Sequence, residues 1–389
     1  MGWLSQISKL SSSIVSRRSS VRSTTLLPRN MSTMKAININ GLGGLEVLVS
    51  AEVPIPTVGP EDVLVNVKAV SINPVEAKIR AGKWAGGNLP AGSILGFDAA
   101  GTIVQVGSSV PASFAHKVGD AVWLLGSSVP NKSNAEYLVA DYRSIAAKPK
   151  SLEWGDAAAI PLVGLTAWEL LFEQMRINEA KPAWDASGAE DAILIVNGAG
   201  GVGSIASQLA RSVAGLKTVI TTASREASIK HTLGLGATHT ISHNEPWAPQ
   251  IAALGLPENV KIKYIAVLTT TTQQTIDQAL EVIAPRGRIG LAVQGPEGSY
   301  STFGKAQRKG IDFSWGFVFT KMAFKWNLAS QGAALTEMAK LVDEGKIKSI
   351  TSQSLDLTVA GLKQAHELME SGKTVGKVVL TVPAQGAFQ

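Results

Sequence analysis

Hydrophobic and polar positions change rhythm once along this chain. From residue 35 to residue 140 the apolar residues fall in short, β-branched runs at 35–40, 47–51, 63–70, 101–107, 119–125 and 134–140, separated by glycine and proline turns. Runs of that kind predict a barrel-like or sandwich β domain. Past residue 158, strand-length apolar runs at 192–196, 218–222, 238–241, 264–268 and 288–293 alternate with helical stretches. That alternation predicts an α/β unit with a doubly wound parallel sheet. The chain closes with helix at 335–344, strand at 351–357, helix at 361–371 and a last strand at 377–382, and it shows no internal repeat.

A further alternation occurs late in the chain. Phe313, Trp315, Phe317 and Phe319 alternate with Ser314, Gly316, Val318 and Thr320, a period of two that puts four aromatic rings on one face of a strand. Such a face needs cover. Sheet core or a dimer seam is the plainer expectation, and a substrate wall is the functional one. The longest apolar stretch, 157–172, is broken by Pro161, Gly164 and Glu169 and falls short of the roughly 18 uninterrupted residues of a membrane span, so no membrane partner is expected.

Charge changes this picture little. The net charge of +6 resides mostly in residues 1–34, which hold Lys9, Arg17, Arg18, Arg22 and Arg29 and no acid; the remainder has 31 basic against 30 acidic residues. No basic stripe is left for a nucleic acid, and the cluster Lys305, Arg308 and Lys309 reads as a solvated face. The leader is rich in Ser and Arg and sets Trp3, Ile7, Leu10 and Ile14 on one side of a helix, a transit-peptide composition. The mitochondrial matrix is the first expectation for location and the cytoplasm the second, with Met31 and Met34 as alternative starts. The chain contains no cysteine, which removes disulfides, thiol nucleophiles and every Cys-based metal site.

The candidate chemistry centres on residues 191–206. An apolar strand, 193–196, runs into Gly198, Gly200 and Gly203, a Gly-x-Gly-x-x-Gly turn opening a helix, with Gly201 and Val202 inside it. A strand, such a turn and a helix in that order let backbone N–H groups approach a pyrophosphate at a helix N-terminus, which predicts a dinucleotide site. A glycine-rich surface turn is the plain alternative. Sheets that bind NAD usually end their second strand with an acid about 20 residues past the turn. Here that position is Ala223, followed by Ser224 and Arg225. A hydroxyl and a guanidinium in place of an acid suit the 2′-phosphate of NADP. Glu226 is placed to pair with Arg225, and the competing reading is that Ser224 and Arg225 cap the next helix.

Several motifs together carry a resemblance over nearly all of residues 35–383. They are Asn73-Pro74-Val75-Glu76, Gly96-Phe97-Asp98-Ala99-Ala100-Gly101 leading to Val106-Gly107, Pro161 to Trp168 with Thr166, the glycine turn, and Gly372 to Leu380 with Gly376 and Lys377. The chain resembles the medium-chain dehydrogenase/reductase superfamily. The resemblance implies a GroES-like β domain plus a Rossmann sheet. It divides the chain into a leader at 1–34, a GroES-like catalytic domain at 35–158, a Rossmann NADP-binding domain at 159–320 and a C-terminal segment at 321–389 that returns to the catalytic domain.

Zinc alcohol dehydrogenases of that superfamily carry a Cys in the Asn73 segment and Gly-His-Glu where this chain has Gly96-Phe97-Asp98. With those ligands missing, no metal is expected, and His116, His231, His239, His243 and His366 read as ordinary structural histidines. What remains resembles the zinc-free quinone-oxidoreductase branch. That resemblance implies NADPH delivering hydride to a small-molecule acceptor, a quinone or an α,β-unsaturated carbonyl, with NADP as cofactor and a homodimer as assembly. It further implies that Ser224, Arg225 and His243 surround the adenosine phosphate, that Thr269, Val293, Gly376 and Lys377 approach the ribose or nicotinamide, and that Asn73 and Thr166 line the hydride face as catalytic candidates. Asn73 also has a plain reading as the organiser of its own turn, and Thr166 as a helix cap. Related enoyl reductases have a tyrosine proton donor after the Asn-Pro motif, where this chain has Lys83-Trp84. That departure favours quinones without excluding small enones. Two alternatives stay open: a trans-acting enoyl reductase of polyketide or fatty-acid synthesis, and a non-catalytic NADPH-binding sensor.

Overall fold

The computed structural model describes residues 32–84, 89–126, 133–179, 188–293, 295 and 303–383, so nearly all of the leader lies outside the described residues. Among the described residues there are three sheets, a small three-stranded one built on Thr33–Ile39 and Leu48–Pro54 and two larger ones that position the site. The first of the larger two is a six-stranded parallel sheet whose spatial order, in chain order of its own strands, is 3-2-1-4-5-6. Its central strand Glu190–Val196 pairs with Thr218–Thr222 on one side and Val260–Val267 on the other. The residues from Ala192 to Val196 are all buried, as expected of a strand covered on both faces by crossover helices. The chain reverses direction across the sheet between the first and fourth strands, the place where open α/β sheets bind ligands.

The second is an antiparallel sheet built around Asp62–Ser71 and Asp98–Val106. The C-terminal strand Lys377–Thr381 joins it, with Val379 opposite Ser71, and carries Thr351–Asp356 in with it. The end of the chain thus completes a domain begun some 300 residues earlier, and Gly376 at the start of that strand also bridges to Gly200 of the other domain. The two domains share one continuous apolar core.

Three sequence expectations change on contact with the fold. The strand expected to carry four aromatic rings stops at Trp315. A side chain at position 316 would run into Leu170, 2.9 Å away, and after Gly316 the chain turns into the short helix Thr320–Ala323. The rings therefore scatter. Phe313 packs in the parallel-sheet core, Phe319 turns inward onto Phe97 with centroids 4.8 Å apart, and Trp315 and Phe317 stay half exposed. The basic cluster is also more than a solvated face, because Lys309 Nζ donates to the carbonyls of Leu280, Glu281 and Ile283 at the end of helix Gln273–Val282. A cation there satisfies carbonyls that the helix leaves free.

The third change concerns the apolar stretch. Residues Trp154–Gln174 are long and apolar enough to cross a membrane despite Pro161 and Gly164, but 78% of the most apolar window is buried inside the protein, so this is a core element. Its last six residues, Glu169–Gln174, widen into a π-turn. Lys321 fastens that turn, reaching Glu173 at 2.8 Å and Glu169 at 3.3 Å, while Gln331 donates to both Glu169 and the carbonyl of Val318. These bonds fix the position of Phe319, and no sequence pattern announced them.

Candidate active site

The glycine turn sits at the reversal point of the parallel sheet. Gly200 caps helix Gly201–Ser212, with no side chain accepting from the helix's first N–H groups and no acid in the first turn. Gly198 and Gly203 are each required by a close neighbour. A Cβ at Gly198 would lie 2.4 Å from the Thr221 side chain, and one at Gly203 would lie 2.4 Å from the Asn197 carbonyl oxygen and 2.7 Å from the Gly198 Cα. Asn197 holds the turn from beneath, in the left-handed region at φ +66. Its N–H donates to Thr222 Oγ1 and its side-chain amide to the Leu268 carbonyl, tying together the ends of three adjacent strands. The sequence motifs give Asn197 no role, though an asparagine, a residue that tolerates positive φ, directly before the first glycine is its signal. His231 bonds Ser204 Oγ behind the turn, and burial lowers its pKa, which favours the neutral imidazole.

The expected adenosine end lies on the neighbouring strand. Ala223 closes that strand through a hydrogen bond to the Ile241 carbonyl. Ser224 is half-buried, and Arg225 and His243 are exposed. The helix Glu226–Gly234 is capped by Ser228, whose hydroxyl accepts from the Arg225 N–H and donates to the Arg225 carbonyl. Arg225 thus occupies the N-cap position that the competing reading gives it, with Ser228 at N3 supplying the side-chain bond to its N–H. Among the described residues no ion pair joins Arg225 to Glu226.

On the other side of the turn, Thr269 is half-buried just past strand Val260–Val267, and the carbonyl of Val293 accepts from both the N–H and the hydroxyl of Thr271. Gly376, at φ +64, donates its N–H to the Ala199 carbonyl and so touches the turn directly.

Beneath these lies a cluster of buried polar groups that the motifs brought near one another without revealing the contacts. Asn73 N-caps helix Pro74–Arg80 in a reciprocal capping box with Glu76. Its Nδ2 donates to Asp98 Oδ2 at 2.8 Å, and its Oδ1 accepts from Lys377 Nζ at 2.7 Å. Lys377 Nζ also donates to the Ile72 carbonyl at 2.6 Å and lies 3.7 Å from Asp98. Asp98 further accepts from Ser71 Oγ and, with its other oxygen, from the N–H of Leu162 at the start of helix Pro161–Trp168.

Two expectations are corrected by this arrangement. Asn73 is fully buried with both ends of its amide engaged, so it organises the floor of the site and does not line a substrate surface. Lys377, at 2% exposure, buries its ammonium in the catalytic domain against the Ile72 carbonyl and Asn73 Oδ1, so it presents no exposed cation to a ribose or nicotinamide. Thr166 is half-buried and returns its hydroxyl to the Leu162 carbonyl one turn back.

Burial raises the Glu76 carboxyl to about 8, against the pull of Lys377 and Asn73, and Glu76 Oε2 has no partner among the described residues. Burial also lowers the Lys377 pKa, opposed by Asp98 and Glu76. A carboxyl raised by folding holds its proton more tightly when folded. It therefore destabilises the fold progressively as pH rises from the unfolded value of 4.5 to about 8, and the deficit is constant above that. Glu76→Gln keeps an acceptor for Asn73 and removes the titration. Its melting temperature relative to wild type is expected to climb between about pH 5 and about pH 8. Thermal melts across that range check this, and parallel curves would refute it.

The donor set does not fit zinc. Phe97 is apolar and buried against Phe319, both oxygens of Asp98 are engaged, the chain has no cysteine, and the described residues contain no group of three His, Asp or Glu side chains placed to share an ion.

A parallel sheet with a glycine-turn dinucleotide cradle, facing a β domain across a shared core, defines a two-domain dehydrogenase or reductase. The comparisons agree. Residues 59–150 match the alcohol dehydrogenase GroES-like domain and residues 235–380 match the zinc-binding dehydrogenase family. A zinc-type alcohol dehydrogenase-like protein of Staphylococcus epidermidis is 32% identical, over 84% of this chain and 93% of that one. The NADPH-dependent alkenal/one oxidoreductase of Arabidopsis thaliana is 28% identical, over 89% and 79%. The crystal structure of a putative zinc-dependent alcohol dehydrogenase from Rhizobium etli superposes with a TM-score of 0.80 at 37% identity, covering 91% of this chain and 99% of that one. The quinone oxidoreductase of Coxiella burnetii gives 0.71 at 28% identity, covering 90% and 100%. The chain belongs to the medium-chain dehydrogenase/reductase superfamily, in its quinone-oxidoreductase-like branch.

Proposed function

We propose that this oxidoreductase is an NADPH-dependent, zinc-independent reductase that transfers hydride to quinones or α,β-unsaturated carbonyls. One observation carries the reading: an intact glycine cradle adjoins a catalytic floor where the zinc-ligand segments hold Asn73, Phe97 and Asp98, with Asn73 and Asp98 closed into a network with Lys377. NADPH, when bound, would supply the hydride and leave as NADP+. The Arabidopsis relative's name, with NADPH and alkenal/one in it, and the Coxiella relative's, with quinone, support the same class of acceptor.

Without a Lewis acid, the acceptor must stabilise its own developing charge, which a quinone or conjugated carbonyl does by delocalisation. This chain's residues then have three tasks. The first turn after Gly200, whose N–H groups no side chain caps, would hold the pyrophosphate through those backbone N–H groups. Ser224 and Arg225 meet the 2′-phosphate. Phe97, packed on Phe319, puts apolar surface where a zinc ligand would stand. The ionisable groups of the floor, Glu76, Asp98 and Lys377, are fully enclosed, which favours acceptors that take protons from solvent. A second copy of the chain is expected along the sheet edge at Asp312–Trp315, beside exposed Trp315, Phe317, Phe324 and Trp326.

Steady-state kinetics with NADPH and NADH side by side, on wild type and Arg225→Ala, test the reading. Wild type is expected to prefer NADPH. The variant is expected to lose about tenfold or more of that preference, the worth of one charge-assisted hydrogen bond, with NADH turnover unchanged. Equal use of both cofactors by wild type would overturn the NADPH assignment.

A further inference from the structure

Lys377 is fixed at both ends, and its two ends belong to different domains. At the backbone end, Gly376 donates to Ala199 and bridges to Gly200, and the lysine stem crosses Gly201 so closely that a Cβ there would lie 2.9 Å from Lys377 Cδ. At the other end, Nζ holds the Ile72 carbonyl and Asn73 Oδ1, and lies 3.7 Å from Asp98 Oδ2. Asp98 passes the connection on to Ser71, to Asn73 and to the first turn of helix Pro161–Trp168. Every side chain in this path is buried to 3% exposure or less, so it has little freedom to absorb a displacement. An apolar residue of the same length would fill the volume but leave Ile72 O and Asn73 Oδ1 without a donor.

We infer that Lys377 is a positioning residue that couples occupancy of the glycine turn to the Ile72–Asn73 turn, holding the acceptor floor in register with the cofactor. The inference rests on the reading of the glycine turn as an NADPH site. It assigns Lys377 no contact with cofactor or substrate. Its effect runs through Asn73 and Asp98, so it governs turnover and leaves cofactor affinity largely intact.

Hydrogen–deuterium exchange of the full chain with and without NADPH tests it. In wild type NADPH is expected to slow exchange both at residues 197–206 and at residues 72–80. In Lys377→Met the first protection is expected to stay and the second to vanish. With a quinone acceptor, kcat is expected to fall about 10- to 100-fold, while the Kd for NADPH moves less than about threefold. Lys377→Arg, which keeps donors for Ile72 and Asn73, is expected to recover part of kcat. Should Lys377→Met not fold, the double variant K377M/D98N removes cation and anion together, keeps an acceptor for the Leu162 N–H, and carries the same expectations. A Kd that weakens in step with kcat would make Lys377 a cofactor ligand and overturn the coupling. NADPH protection at 197–206 with none at 72–80 in wild type would overturn it too. Protection at neither segment would overturn the cofactor reading and the coupling with it.

Discussion

Gly203→Val is expected to weaken NADPH binding at least about 100-fold, or roughly 3 kcal/mol, while the protein stays folded. The cause is steric and sits in the backbone. A Cβ at position 203 would approach the Asn197 carbonyl oxygen to 2.4 Å and the Gly198 Cα to 2.7 Å, and neither atom can swing away as a flexible side chain could. The contact is relieved only by pushing the helix start away from the strand end. That movement strains the hydrogen bonds from Asn197 to Thr222 and Leu268 and misplaces the N–H groups at the helix N-terminus. Calorimetric titration with NADPH checks the loss, with far-UV circular dichroism as the control for folding. Wild-type affinity in this variant would mean that the glycine turn is not the cradle.

Asp98→Ala is expected to destabilise the protein by about 3–5 kcal/mol, the usual cost of removing one partner of a buried charge pair. Asp98 is completely enclosed, and its two oxygens serve Ser71, Asn73, Leu162 and, at longer range, Lys377. Alanine leaves the Lys377 ammonium without a counter-charge and the Leu162 N–H without an acceptor in a dry site. Chemical denaturation read by tryptophan fluorescence checks it. A loss below about 1 kcal/mol would place the network among surface ion pairs in strength, contrary to its burial.

The chemistry-bearing segments were legible in the sequence, and their contacts were not. The central strand announced itself because residues 192–196 are apolar on both faces, and the glycine turn did so because its three glycines occur between a strand and a helix. Asn73, Asp98 and Lys377 were each singled out by motif, yet the bond from Lys377 to Asn73 joins residues 304 positions apart, and no local pattern gives the direction of a lysine side chain. The motifs alone therefore point Lys377 toward the cofactor and Asn73 toward the substrate. The four-ring strand failed for a different reason. Alternation at 313–319 satisfied the period of a strand, but Gly316 must lie against Leu170 and the chain turns there, a packing requirement that periodicity does not encode. The π-turn at Glu169–Gln174 and its Lys321 clamp left no trace in the pattern either, because their partners come from residues 318–331.

The central claim, metal-free hydride transfer from NADPH to a conjugated acceptor, meets its most direct test in one assay: loss of the reduced nicotinamide absorbance by protein stripped with a strong chelator, against a panel of quinones and enones. The predicted result is sustained NADPH oxidation with at least one of them, unchanged by stripping and not increased by added zinc. Activity that disappears on stripping and returns with zinc, or no oxidation with any acceptor, would contradict it.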